Sequence, residues 1–194
     1  MMNACPRWSF LAVPLLAALG CSDPVPLPAQ GAISLSIQKP LSNVNGNSCP
    51  ESGATYQVGG PGIPSTTSPG DSVIDGDNGA KISCSVKGSG PYTFSGSFHG
   101  TTPDGNHYPV TVSFSGGVVD ATGTSGTVAV SVLTPVLAAN FSSTEACTVT
   151  VLGAHQIKGG SIWAKFSCPS ITNPPSGLCR VGDSVIVFEN CDGS

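Results

Sequence analysis

The chain has 194 residues, 39% of them hydrophobic and only 9% charged, with a formal net charge of −4. Globular domains usually carry ~25% charged residues; here Gly, Ser, Thr, Asn and Pro stand in their place. The hydrophobic content excludes a disordered chain, which needs low hydrophobicity and high net charge, and the scarcity of Lys and Arg speaks against nucleic acid as a partner.

Residues 1–20 read as an export signal. Arg7 supplies a basic start, Phe10 to Leu19 is apolar, and the small residue Gly20 precedes Cys21. The apolar run is about ten residues, too short to span a bilayer core of ~30 Å as a helix. Ala18-Leu19-Gly20-Cys21 resembles the lipobox of bacterial lipoproteins, although that family usually has Leu where Ala18 stands. The resemblance implies that Cys21 is acylated and that the membrane is a partner through this lipid. Cysteine parity agrees. The chain has eight cysteines. Cys5 leaves with the signal, and lipid on Cys21 leaves Cys49, Cys84, Cys147, Cys168, Cys179 and Cys191, an even set suited to disulfides. An ordinary signal-peptidase cut after Gly20 would leave an odd thiol, which exported proteins seldom keep. Ser22 after the cysteine, rather than Asp, points to the outer membrane by sorting rules learned in other bacteria.

Residues 21–31 contain the Pro-rich run after Cys21 and read as a semi-rigid tether. A single β-domain is expected over residues 32–194. Ile33, Leu35 and Ile37 alternate with polar residues and predict a strand. Residues 40–79 are mostly loop, broken by Gly and Pro, with a short strand at Thr55 to Val58. A four-strand meander is expected over 81–133. In its central hairpin, residues pair about position 103: Phe98 with Tyr108, Gly96 with Val110, Phe94 with Val112 and Tyr92 with Phe114. This gives one apolar face and one face of small polar residues. The preceding turn places Val86 opposite Tyr92 and Cys84 opposite Phe94. Val118, Val128, Val130 and Val132 extend the apolar face.

A second hairpin, 146–152 with 161–168, sets Val151 opposite Ala164, Val149 opposite Phe166 and Cys147 opposite Cys168. Asp183 to Glu189 forms a last strand. About eight or nine half-buried strands without helices need a second layer. The expected fold is all-β: an antiparallel two-sheet sandwich stapled by disulfides, with a β-barrel as the alternative. Nearest-neighbour pairing predicts Cys49–Cys84, Cys147–Cys168 and Cys179–Cys191. The absence of Cys-x-x-Cys spacing argues against zinc.

The stretch from Ile162-Trp163-Ala164-Lys165-Phe166-Ser167-Cys168-Pro169 through Cys179 to Val187-Phe188-Glu189-Asn190-Cys191 resembles uncharacterised cysteine-bearing bacterial lipoproteins of myxobacterial type, and residues 90–96 are similar. The resemblance implies an outer-membrane lipoprotein with a β-domain and carries no activity with it.

Few residues suggest chemistry. On the expected register His99 faces His107 beside Asp104, three ligands that could hold a transition metal loosely; two solvated imidazoles at a strand end are the plainer reading. The acidic stretch 71–79 fails the EF-hand pattern, since Ala80 and Val86 stand where Gly and Glu are needed. It reads better as a polar turn capping a strand. Trp163 alternates away from Ile162 and Phe166 and is a candidate for stacking on a sugar or for packing under a loop. No Gly-x-Ser-x-Gly elbow and no convergent carboxylate pair occur, so no enzyme and no cofactor are expected. The expected function is a non-catalytic structural or interaction domain on the cell envelope, with an envelope protein or glycan as partner. The alternative is a glycan- or metal-binding module using loops 59–79 and 100–106.

Overall fold

The structure is a computed structural model, describing residues 25–41, 49–51, 53–60, 72–103, 107–153, 157–173 and 177–193. The stretch read as an export signal, Cys21 and Asp104 lie outside the described residues. Alternating apolar residues generate the strands β1 (Gln30–Gln38), β2 (Ala54–Val58), β3 (Val73–Ile74), β4 (Lys81–Gly88), β5 (Tyr92–Thr101) and β6 (Pro109–Val119). They continue with β7 (Ser125–Leu133), β8 (Phe141–Ser143), β9 (Cys147–Val151), β10 (Ile157–Lys158), β11 (Ser161–Asn173) and β12 (Gly177–Glu189). The strand β1 begins at Gln30, inside the stretch read as tether.

All twelve strands belong to one antiparallel sheet in the order β2-β1-β12-β11-β8-β7-β6-β5-β4, with β3 added to β1, β10 to β11, and β9 between β11 and β7. The strands thus form one sheet where two were expected, and it folds over so that its two halves pack against each other. Phe114 of β6 meets Phe166 of β11 and Phe188 of β12 edge-on, with ring centroids 5.1 and 5.8 Å apart, although neither strand neighbours β6 in the sheet. Ile33, Leu35, Ile37, Phe98, Val112, Ile162 and Ile186 are buried in the shared core. Two glycines let the halves approach. A Cβ on Gly96 would lie 3.0 Å from the Phe188 ring, and one on Gly31 would lie 3.2 Å from that of Phe98. Each phenylalanine thus rests against a bare backbone of the opposite half.

The outer face of the meander carries hydroxyls. Ser83, Ser97, Ser113, Ser131 and Ser142 stand opposite one another on β4 to β8. The Ser83 and Ser97 Oγ atoms are 2.8 Å apart. The predicted small polar face is there, and so is the four-strand meander.

Registers differ in instructive ways. The β9–β11 hairpin pairs Val151 with Ala164 and Val149 with Phe166, as expected. In the β5–β6 hairpin, however, Phe98 faces Val112 and Gly96 faces Phe114, and between β4 and β5, Cys84 faces Gly96. β5 runs further into the expected loop, to Thr101, while β6 begins later, at Pro109, so Tyr108 falls outside β6 and is exposed. A bulge between Ser115 and Val118 on β6 reverses the alternation there. Val119 is buried and Val118 exposed, contrary to expectation.

Three disulfides staple the fold. Cys147–Cys168 forms as predicted, but the other two bonds are Cys49–Cys179 and Cys84–Cys191. For these four cysteines, neighbours in sequence are not neighbours in space. Because β12 lies beside β1, it brings Cys179 to the segment before β2. The chain after β12 reaches the free edge of β4. There Val86 N donates to Asp192 O at 2.9 Å and Asp192 N to Cys84 O at 3.0 Å, beside the Cys84–Cys191 bond. The Lys87 ammonium sits 3.3 Å from the Asp192 carboxylate. Such bonds mark an oxidising, extracytoplasmic compartment. No helix among the described residues is long and apolar enough to cross a membrane.

Candidate ligand cleft at the sheet seam

The two outermost strands, β2 and β4, leave a seam where the folded sheet meets itself. The chain after β12 covers part of β4, and the opposite end of the seam opens into a cleft of about 830 Å³. Val58 and the glycines after it form one wall, and Gly100 to Pro103 at the end of β5 form another. The bare Gly100 lets these walls approach, since a Cβ there would lie 2.8 Å from a Val58 methyl and push it aside. Ser72 and Val73 enter from the start of β3, while Asp77, Asn78 and Ala80 come from the short 3-10 turn before β4. His107 completes the lining.

Local chemistry explains this geometry. Asp75 accepts a hydrogen bond from Ile82 N at 2.7 Å, fixing the turn to the start of β4, so the acidic stretch does cap a strand. Thr102 and Tyr108 clasp the base of the neighbouring loop: Thr102 N donates to Tyr108 O, and Tyr108 N donates to Thr102 Oγ1, both at 3.0 Å. Asn78 and His107 both hold left-handed backbone, at φ 49° and 47°. Non-glycine residues seldom adopt this conformation, and it concentrates at functional sites. Ser72 Oγ is buried without a hydrogen-bond partner, the one such side-chain atom among the described residues.

The residues singled out in the sequence separate. His99 stands opposite Thr111, not His107, and its Nδ1 is 2.8 Å from Thr111 Oγ1. This contact lies on the open sheet face, away from the cleft lining. No group of three His, Cys, Asp or Glu side chains converges among the described residues. Trp163 is half-buried on the outer face, in a row with Val187 and Ala32, and does not line the cleft. The loops at 59–79 and 100–106 do meet there, through their described residues.

No family model, curated protein or solved structure matches the chain. The geometry therefore stands by itself.

A second cluster was not foreseen. Glu51 is only 5% exposed. Its carboxylate accepts from the Tyr56 hydroxyl and from Thr134 Oγ1, the latter at 2.5 Å. Thr134 Oγ1 in turn accepts from Leu137 N at 3.2 Å. Burial raises the Glu51 pKa, and the Thr134 hydrogen bond opposes that shift. The cluster ties the segment beside Cys49 to the β7–β8 loop. A lone Glu in a loop gives no sign in sequence of such burial.

Proposed function

We propose that the protein is an exported lipoprotein, acylated at Cys21, whose β-domain is a non-catalytic structural or interaction module held at the cell envelope on the outer membrane. The observation that carries this reading is the cysteine pairing. All six cysteines from Cys49 to Cys191 are joined in disulfides, so Cys21 has no thiol partner to seek once Cys5 leaves with the signal. It directly follows an apolar run and small residues suited to processing. The non-catalytic part draws support from the histidines. A catalytic nucleophile needs a base that is itself oriented by a third group. The His99–Thr111 contact offers two members on an open sheet face. Metabolic labelling with a radioactive fatty acid tests the anchor. The wild-type protein should take up label and fractionate with outer membranes, and Cys21→Ser should abolish both. A wild-type protein found mainly soluble and unacylated refutes the proposal.

A further inference from the structure

We infer that the seam cleft is a binding site for an uncharged sugar of one or two rings. The volume of about 830 Å³ falls within the range of small-ligand sites. Among the described residues of its lining there is no Lys or Arg, and Asp77 is the one carboxylate, so there a phosphate or carboxylate ligand would meet no counter-charge and one repulsion. The other polar side chains of the described lining are the hydroxyls of Ser72, Thr101 and Thr102, the amide of Asn78 and the imidazole of His107. Each both donates and accepts, which suits a ligand whose own hydroxyls do the same. Val58 and Val73 give apolar surface against which the C–H face of a ring can lie. Ser72 supplies the sharpest pointer. Its hydroxyl is covered and without a partner, which is costly; the residue itself is half-buried on the cleft lining, so a change of its χ1 rotamer would bring the hydroxyl to a sugar hydroxyl. The left-handed backbone at Asn78 and His107 presents two of these groups from opposite loops.

The site is independent of the lipid anchor, and so is its test. The mature protein in detergent is examined by saturation-transfer difference NMR with maltose, cellobiose, lactose and N,N′-diacetylchitobiose. Glucose 6-phosphate serves as a charged comparator. At least one neutral disaccharide should give a saturable signal. Ser72→Ala should weaken it by about tenfold, the loss expected when one buried hydrogen bond to a ligand is removed. Thr101→Trp, a change at an exposed strand end that fills the cleft, should abolish it even if Ser72→Ala fails to fold. Trp163→Ala should leave it unchanged. The inference is overturned if no neutral sugar binds in the tens-of-millimolar range, or if binding survives Thr101→Trp. It is equally overturned if only the comparator binds, or if Trp163→Ala alone abolishes binding.

Discussion

Substituting Gly96 by Ala tests whether the two halves of the sheet are held at a distance set by bare backbone. The added Cβ would lie 2.7 Å from Ser83 O and 3.0 Å from two carbons of the Phe188 ring. Ser83 O belongs to the backbone of the adjoining strand and cannot retreat without disturbing the ladder. The ring is held edge-on by Phe114, with centroids 5.8 Å apart. Overpacking of this kind costs about 1–3 kcal/mol. At ~2–4 °C per kcal/mol for a domain of this size, the melting temperature should fall by roughly 2–12 °C. Calorimetry under non-reducing conditions would measure it. Phe188→Ala alone should cost about 3–5 kcal/mol through the cavity it leaves. Combined with Gly96→Ala it should cost less than the sum, by about 0.5 kcal/mol or more, because the small side chain then points into vacated space. A Gly96→Ala protein within ~0.5 kcal/mol of the parent, with additive behaviour in the double variant, would refute this account of the packing.

Glu51 should make stability fall as pH rises. Its folded pKa lies above the ordinary 4.5, so the folded protein holds the proton more tightly. Stability is therefore full below the unfolded value and declines as pH climbs through the folded one. Glu51→Gln should flatten that decline in urea titrations run upward from the ordinary carboxylate value of 4.5, since its amide can still accept from Tyr56 while Thr134 turns its hydroxyl. Asp120 should act in the opposite sense. The hydroxyls of Ser125 and Thr122 and the Thr124 amide hold its pKa well below the usual 3.8. Its contribution is present above that value and lost as pH falls through the folded one, so Asp120→Ala should reduce the pH dependence of melting in acid. Peptide mapping of non-reduced protein should recover Cys49–Cys179, Cys84–Cys191 and Cys147–Cys168. Replacing Cys84 and Cys191 with Ser should cost about 2–4 kcal/mol and raise hydrogen exchange at Val86 and Asp192.

The sequence disclosed faces more faithfully than partners. Moving the β5–β6 pairing by an even number of residues leaves every side chain on its original side. Phe94, Phe98, Val112 and Phe114 were thus correctly assigned to the core although their expected neighbours were wrong. The bulge at Ser115–Val118 defeated the same logic, since it changes parity and exposes Val118 in place of Val119. Gly116-Gly117 was the available sign of it. The β9–β11 register could be read because the apolar alternation on either side of the turn set it without a bulge, and the Cys147–Cys168 pair followed from that register. Cys49 and Cys84 could not be assigned, because their partners depend on where β12 lies in the sheet, a long-range fact that spacing does not carry. For the site, the loops were legible and the individual side chains were not. Clefts arise from how sheet edges meet, and Ser72, Val58 and Gly100 have no local signature.

The closure of β4 by Cys191 and Asp192 spans 107 residues of chain. A protein exported in extended form from its N-terminus would deliver β4 long before the segment that covers its edge. In that interval β4 offers unpaired N–H and C=O groups to any other strand nearby. Folding toward the correct partner must wait for a contact of large sequence separation, which is intrinsically slow. Ser83 and Ser85, Lys81 and Lys87 give this strand a polar outward row, poor material for a steric zipper. The hydroxyl-rich face thus has a use before the fold exists, as a safeguard during the delay between translocation and closure.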